Sequence, residues 1–282
     1  MGLMRKTGCA LVIAMVTLAS CSQRAIPSAT PALETRTLRV YATSAAMPLL
    51  EDFAESYSAL NRDIAFELET GSFREMLARL MTGETPYFLS TWLPPDGAQT
   101  TPLWAAPVAQ DGIAAIVHPG NPVTGLTSGQ LRSIFAGDIQ NWRDVGGPDL
   151  PITVFIREDG SGTRAEFEAL LMGDRPVVPL ARIAPSGDAM RASIAADPSA
   201  IGFLSTALLA PAVRALALDG VMPSAATLAN DSYPLRSFVY LIGLREPDGS
   251  QPLDLDYRAF FAWAQGPDGQ AAAARQYAPL GD

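Results

Sequence analysis

Ile156-Arg157-Glu158-Asp159-Gly160-Ser161-Gly162-Thr163-Arg164 joins an apolar, strand-like run to a helix-like one. The first turn of a helix leaves backbone N–H groups without partners, and the aligned peptide dipoles give that end a partial positive charge. The two glycines let the backbone approach a ligand, the serine and threonine add hydroxyl donors, and the first arginine offers a planar fork of N–H groups. This combination predicts a binding site for a small oxyanion at a strand-to-helix turn.

The same residues also have a purely structural interpretation. Thr163-x-x-Glu166 matches a capping box that would open a helix over residues 165–172. Because a short motif alone does not separate a helix cap from a ligand contact, the rest of the chain has to decide.

The composition is that of an ordinary globular protein with an acidic balance. The chain has 282 residues, of which 48% are hydrophobic and 17% are charged, so it can bury one large core or two smaller ones. The formal net charge of -9 argues against nucleic acid as a partner, because the nucleic-acid backbone favours basic surfaces. Binding of a small anion is compatible with this charge, since remote charges are screened and local donors dominate.

The N-terminus has the pattern of a secretory signal peptide. Arg5 and Lys6 form a basic start, residues 9–18 are apolar but too few for a comfortable membrane span, and small residues follow. We expect residues 1–20 to be this signal. Its removal takes away two cations and no acids, so the formal net charge changes from -9 to -11.

The end of the signal has a second feature. Leu18-Ala19-Ser20-Cys21 resembles the box at which bacterial lipoproteins are cleaved and lipidated on the cysteine; a plain signal peptide with an incidental Cys21 is the alternative. After cleavage Cys21 is the only cysteine, so no intramolecular disulfide can form. We expect residues 21–36 to be a lipid anchor and flexible tether that holds the protein to a membrane in the periplasm or at the cell surface.

Beyond the tether, strand-like and helix-like patterns alternate. This alternation favours an α/β fold with largely parallel sheets, in which ligands bind at the carboxyl ends of the strands. The predicted strands are 38–43, 64–68, 86–91, 113–117, 152–156, 201–205 and 238–243, and the predicted helices are 48–60, 73–81, 128–135, 165–172, 188–195, 255–265 and 270–277.

Three strand-to-helix turns contain hydroxyl groups. They are Thr43-Ser44, Thr70-Gly71-Ser72 and the Gly160–Thr163 turn. Serine and threonine are also preferred helix caps, so each turn taken singly is explained without a ligand.

Further motifs in chain order resemble those of one known family. They are residues 107–119 (PVAQDGIAAIVHP), 134–145 (IFAGDIQNWRDV), 200–203 (AIGF), 233–236 (YPLR) and 266–270 (GPDGQ). Over residues 37–280 the chain resembles the phosphate-binding subunits of ABC-type importers, within the type II periplasmic binding protein superfamily. The resemblance implies two α/β lobes joined by a hinge, with the ligand in the cleft between them. Lobe 1 would be residues 37–111 plus 235–282, and lobe 2 residues 112–234.

The resemblance also implies a set of ligand donors from both lobes. In lobe 2 they are Arg157, Ser161, Gly162 and Thr163, and in lobe 1 they are Ser44 and Ser72. Asp159 falls where the family has an acid that holds the arginine in place. Thr43 is the alternative to Ser44, because the glycine usual in this segment is absent.

Thr91 marks a departure from the family. The resembling proteins usually have an aspartate near this position, which accepts the proton of hydrogen phosphate and repels sulfate, since an acceptor facing an acceptor in a dry site is costly. Thr91 can donate as well as accept. We therefore expect Thr91 to contact the ligand and the preference for phosphate over sulfate to be weaker.

The leading functional hypothesis is a monomeric lipoprotein that binds phosphate or a similar oxyanion and delivers it to the membrane permease of an ABC importer. One alternative is a phosphate-binding-like protein repurposed for sensing or for surface or secretion assembly, with a weakened anion site. Another is a hydrolase that uses Ser161, for which the only histidine, His118, is a poorly placed base. We expect no catalytic residues, no cofactor and no metal, because one histidine and one cysteine make a poor ligand set.

Overall fold

The computed structural model describes residues 1–2, 35–95, 103–245 and 254–281. Thr35–Asp282 forms one compact unit. The predicted signal peptide beyond its first two residues, Cys21, and the tether up to residue 34 lie outside the described residues. Within the described ranges, no helix combines the length and apolar character that a membrane span requires.

The described residues form twelve strands and eight α-helices. The strands are β1 (Arg36–Thr43), β2 (Ile64–Glu67), β3 (Thr70–Gly71), β4 (Tyr87–Ser90), β5 (Leu103–Val117), β6 (Gly125–Leu126), β7 (Thr153–Arg157), β8 (Arg182–Ala184), β9 (Ala200–Ser205), β10 (Arg214–Ala215), β11 (Ala217–Leu218) and β12 (Arg236–Leu244). The helices are α1 (Met47–Leu60), α2 (Phe73–Met81), α3 (Ser128–Ala136), α4 (Gly162–Phe167), α5 (Gly187–Ala196), α6 (Ala225–Ala229), α7 (Leu255–Gln265) and α8 (Pro267–Ala273). The alternation of strands and helices confirms the predicted α/β class.

The main sheet is mixed. Its strand order is β2-β1-β4-β12-β5-β9-β7-β8, with β3 paired to β1 and β10 paired to β5. Strand pairs are parallel at each end, where β1 pairs with β2 and β4, and β7 pairs with β8 and β9. In the middle, β12 is antiparallel to both β4 and β5, and β5 is antiparallel to β9. The prediction of largely parallel sheets is therefore wrong for the centre, because β5 leaves the first half of the fold and β12 returns to it.

The buried apolar side chains form two large clusters. One packs β1, β12, α1, α7 and α8 together, and its members include Leu49, Phe53, Leu241, Phe260 and Tyr277. The other packs around β7, β9 and α3, and its members include Phe135, Trp142, Phe167, Phe203 and Ile201. Two separate cores joined by long strands are the two-lobed α/β architecture that the resemblance implies.

The 15-residue strand β5 passes through both lobes. Its first part, up to Gly112, pairs with β12, and its second part, from Ile113, pairs with β9. Along the strand, Ala109 belongs to the first core and Ile113 to the second. This change supports a boundary near 111/112, and the lobe limits 37–111 plus 235–282 and 112–234 stay a prediction.

Two predicted helices begin at different residues in the structure. α4 begins at Gly162, and its cap is Ser161, whose Oγ accepts a hydrogen bond from the Arg164 backbone N–H (3.3 Å). The capping box of Thr163 with Glu166, which was the structural alternative to an anion site, is therefore not formed, and the predicted helix start at residue 165 is wrong. The last helix runs over Pro267–Ala273 instead of 270–277, because a proline is well accommodated in the first helical turn.

Candidate anion-binding site

Three strands end at the polar edge where the two lobes meet. β1 and β4 are parallel neighbours, so Thr43-Ser44 and Ser90-Thr91 leave the sheet at the same edge. β7 ends at Arg157 in the other lobe and is followed by the turn into α4. Carboxyl ends of strands with helix N-termini beside them are the usual ligand positions of α/β folds.

Arg157 is buried and its orientation is fixed. Its side chain is 3% exposed, and its Nε and Nη2 donate to the two carboxylate oxygens of Glu158 at 2.8 and 2.9 Å. This bidentate pair uses one side of the guanidinium. The Nη1 side points toward the first turn of α5, where it lies 3.8 Å from the position that a Cβ on Gly187 would occupy. Arg157 is thus a preset cation with donors left for a further anion.

The predicted role of Asp159 needs correction. Its carboxylate pairs with Arg74 of α2 at 2.7 Å, and this guanidinium lowers the pKa of Asp159. The carboxylate that holds Arg157 belongs to Glu158. The physical reason is direction: after β7, the Asp159 side chain points out to solvent and is 80% exposed, whereas Arg157 points inward.

The turn between β7 and α4 lies against lobe 1. The Arg74 backbone N–H, in the first turn of α2, donates to the Gly160 carbonyl at 3.2 Å. A Cβ added at Gly162 would lie 3.1 Å from the Cβ of Trp92 and 3.4 Å from the Cβ of Phe73. Ser90 Oγ would lie 3.6 Å from the same added Cβ. The structure therefore has the two lobes in contact at the predicted site.

The exposed pair of Arg74 and Asp159 bridges this contact and is expected to add little to closure. Replacing Arg74 by glutamine should weaken phosphate binding by at most about fivefold at low salt, because exposed ion pairs are weak and screened. Titration calorimetry at low and high salt measures this. Arg79→Gln on the same helix, whose partners Glu69 and Glu84 lie within lobe 1, is the matched control. A much larger loss that salt does not reduce would contradict the expectation.

Two of the predicted hydroxyl donors are helix caps. Ser72 Oγ accepts from the Glu75 backbone N–H at 3.3 Å, and Ser161 Oγ accepts from the Arg164 N–H at the same distance. Ser161 is 4% exposed, and Gly162 and Thr163 are also buried in the first turn of α4. Accepting a backbone hydrogen bond leaves the hydroxyl proton of a serine free to be donated. The capping role and a ligand contact are therefore compatible.

Thr43 differs from Ser44 in its surroundings. Thr43 is buried, and its Oγ1 has no hydrogen-bond partner among the described residues. Ser44 is half-buried, and its backbone N–H donates to the Gly71 carbonyl at 3.2 Å. A buried hydroxyl without a partner needs an explanation. Of the two, Thr43 has the buried hydroxyl whose hydrogen bond is still to be accounted for.

Thr91 lies near the buried carboxyl group of Glu166, a residue that entered the sequence prediction only through the alternative helix cap. Glu166 is 4% exposed on the inward face of α4, and the hydroxyls of Ser237 and Thr91 lie near enough to influence the pKa of its carboxyl. The Ser237 Oγ, which is buried, has no formed hydrogen bond with any described residue, so its effect on Glu166 is that of a nearby dipole. Burial raises the pKa of Glu166 well above its ordinary value; the Ser237 dipole lowers it, the charge of Asp111 raises it and Thr91 lowers it.

Asp111 is the second buried carboxyl group in this region. It lies on β5 opposite Ser237 of β12, and its two oxygens accept hydrogen bonds from the hydroxyls of Ser205 and Thr206. Burial raises the pKa of Asp111, while these hydrogen bonds lower it. Asp111 is thus satisfied within the hinge region and has a structural role.

Sequence reasoning missed Glu158, Ser90 and Glu166 at this site. The signal for Glu166 was present: Thr163, Glu166 and Phe167 follow the i, i+3, i+4 spacing of one helix face, and all three are buried. No comparable pattern in the sequence indicated that Arg157 would form its ion pair with Glu158 and not with Asp159.

A surface hollow of about 320 Å³ opens beside the site. Its lining includes Phe73, Leu77, Gly160, Ser161 and Ala165. Arg157 and Thr91 do not line it, so it is a groove on the outside of the lobe contact and we do not place the ligand there.

His118, the base considered for the hydrolase alternative, is already hydrogen-bonded within its own turn. His118 follows β5, and its Nδ1 accepts a hydrogen bond from the Gly120 backbone N–H at 3.0 Å. Within the described ranges, no three histidine, cysteine or acidic side chains are grouped in a way that could hold a metal ion.

Two α/β lobes that meet over a polar edge with preset anion donors define the class of two-lobed solute-binding proteins. The family model described as PBP superfamily domain matches residues 27–265. Phosphate-binding protein PstS of Bacillus subtilis (strain 168) is 32% identical over 224 residues, which are 78% of this chain and 74% of that protein. The chain belongs to the PBP superfamily and, within it, to the family of phosphate-binding proteins PstS.

Solved structures agree with this fold. A substrate-binding protein from Clostridium perfringens with bound phosphate superposes with a TM-score of 0.80 at 24% identity, covering 88% of this chain and 100% of that one. An ABC-type phosphate transport receptor from Vibrio cholerae has a TM-score of 0.69 at 26% identity, covering 86% and 99%.

Proposed function

We propose that this chain is an extracytoplasmic binding protein for phosphate or a related small oxyanion, and that it delivers the ligand to the permease of an ABC importer. The observation that supports this best is the buried Arg157, fixed by Glu158 at the end of β7 and next to the turn that contacts lobe 1. The relatives named as phosphate-binding proteins and the phosphate-bound structural neighbour support the same ligand.

The proposed binding step makes and breaks no covalent bond. Hydroxyls, backbone N–H groups of the first α4 turn and the guanidinium replace the water shell of the ion while the lobes exclude solvent. The proposed ligand contacts are Arg157, Ser161, Gly162, Thr163, Ser72, Thr91, and Thr43 or Ser44. Glu158 takes the orienting role that sequence reasoning gave to Asp159.

The cellular setting is part of the proposal. The signal-like residues 1–20 and the lipoprotein-like box at Cys21 support export and a lipid anchor. A protein held near the membrane surface is suitably placed to meet a permease. The relatives are solute-binding proteins, and we propose that this chain has no enzymatic activity.

Titration calorimetry with phosphate and with sulfate tests the function. We expect saturable phosphate binding at neutral pH and weaker but measurable sulfate binding, because Thr91 replaces an aspartate. Chloride in excess is the control for general anion effects. Absence of phosphate binding by a folded protein would refute the proposal. Tight phosphate binding with no measurable sulfate binding would refute only the expected weak discrimination between the two anions.

A further inference from the structure

Glu166 is a buried carboxyl group in the cleft that the proposed function does not use. It is 4% exposed and lies on α4, one turn after Gly162. The hydroxyls of Ser237 on β12 and of Thr91 after β4 lie near enough to its carboxyl to lower its pKa. A buried carboxyl without a cation is costly when ionised, and among the described residues neither a helix cap nor an ion pair accounts for the burial of Glu166.

The position of Thr91 makes this carboxyl relevant to the ligand. Thr91 is 3% exposed and directly follows Ser90, whose Oγ would lie 3.6 Å from a Cβ on Gly162. Gly162 is one of the proposed anion donors. The Trp92 Cβ would lie 3.1 Å from the same added Cβ, so the segment from Ser90 to Trp92 runs beside the face of α4 that carries Gly162 and Glu166. Thr91, a proposed ligand contact, therefore links the Glu166 carboxyl to the proposed ligand position.

A hydroxyl in such a position has one proton to give. If the carboxyl is protonated, its O–H donates to Thr91, and the Thr91 hydroxyl donates to the anion. If the carboxyl is ionised, Thr91 donates to the carboxylate and presents only a lone pair to the ligand. A lone pair suits the P–OH of hydrogen phosphate and repels an oxyanion without a proton.

We infer that Glu166 acts through Thr91 as a positioning residue that determines whether the site accepts a proton-free oxyanion such as sulfate or selects an oxyanion with a proton. This inference rests on the proposed function. Glu166 would supply, from the opposite lobe, the carboxyl group that is absent at the Thr91 position itself.

The neighbouring charged groups influence the pH at which this change of selectivity occurs. Burial raises the pKa of Glu166 well above its ordinary value and the charge of Asp111 on β5 raises it further, so this carboxyl keeps its proton to a higher pH than an exposed glutamate does. Burial raises the pKa of Tyr240 on β12, and the charge of Glu166 raises it further. Arg164 and Glu168 lie on the same helical segment as Glu166 and pair with each other at 2.8 Å, and Arg236 of β12 lowers the pKa of Tyr240.

Sulfate affinity as a function of pH tests the inference, because sulfate has no proton to lose between about pH 5 and about pH 9. Calorimetry of the purified protein should show sulfate affinity falling by about tenfold as pH rises, the cost of one unfavourable polar contact. Titrations in buffers of different ionisation enthalpy should show proton uptake with sulfate. In Glu166→Gln both effects should disappear, because the amide keeps a donor toward Thr91 at every pH.

Two variants complete the design. Glu168→Gln, a partly exposed carboxylate paired with Arg164, should keep the wild-type profile. Thr91→Val should abolish the pH dependence independently of Glu166, and thermal melting checks that each variant is folded. A wild-type profile that is flat, or that persists unchanged in Glu166→Gln, would overturn the inference while phosphate binding stands. Failure of the wild type to bind phosphate would instead overturn the proposed function.

Discussion

Replacing Arg157 by alanine is expected to lower phosphate affinity by about 2 kcal/mol or more, because a charge-assisted contact in a buried site is lost. The side chain is 3% exposed and its geometry is set by Glu158 before any ligand binds. Removing the guanidinium also leaves the Glu158 carboxylate without its cation and next to the incoming anion. Arg157→Lys should be intermediate, since an ammonium lacks the planar fork that serves a carboxylate and an oxyanion together.

Calorimetry with phosphate measures this loss. Arg175→Ala is the matched control, because Arg175 pairs with Asp138 on the surface of the same lobe and is 45% exposed. Thermal melting of both variants separates lost affinity from lost structure. Unchanged phosphate affinity in a folded Arg157→Ala protein would remove Arg157 from the site.

Strands and helices could be predicted from the sequence wherever apolar residues recur at a clear spacing. Residues 73–81 match α2 at both ends, and residues 255–265 match α7, because apolar residues recur at helical spacing between good caps. β5 was predicted only for residues 113–117. Its earlier part contains Pro107 and the polar pair Gln110 and Asp111, and these break the alternation by which a strand is identified.

The antiparallel centre of the sheet could not be derived from local pattern. β12 pairs with β5 across more than a hundred intervening residues, and the direction of a returning strand depends on where the chain leaves the lobe. The order of strands and helices along the chain can be the same for a parallel and for a mixed sheet, so it does not distinguish them.

At the site, the sequence predicted the donors but not their partners. The hydroxyls and Arg157 follow from a strand-to-helix turn with glycines. Which carboxylate holds Arg157 depends on the direction of side chains after β7, where Glu158 turns inward and Asp159 outward. Glu166 was considered only as part of an alternative helix cap, because the helix was predicted to begin too late. Moving that start to Gly162 places Glu166 on the buried face.

Replacing Gly162 by valine is expected to lower phosphate affinity by about 1–3 kcal/mol, because added atoms overpack a tight contact. An added Cβ alone would lie 3.1 Å from the Trp92 Cβ, and the two further methyl groups have to fit between Trp92, Phe73 and Ser90. The clash exists only when the lobes meet. The variant should therefore lose phosphate affinity but keep the melting temperature of the ligand-free wild type. In small-angle X-ray scattering, it should also fail to contract when phosphate is added.

Gly129→Val is the matched control for this substitution. Gly129 also lies in the first turn of a lobe 2 helix, α3, but the nearest atom to an added Cβ is the Thr127 Oγ1 at 3.8 Å. It should bind phosphate and contract as the wild type does. Wild-type phosphate affinity in Gly162→Val would contradict this expectation. It would mean that binding does not require the contact between the α4 turn and lobe 1, and that one lobe alone binds the anion.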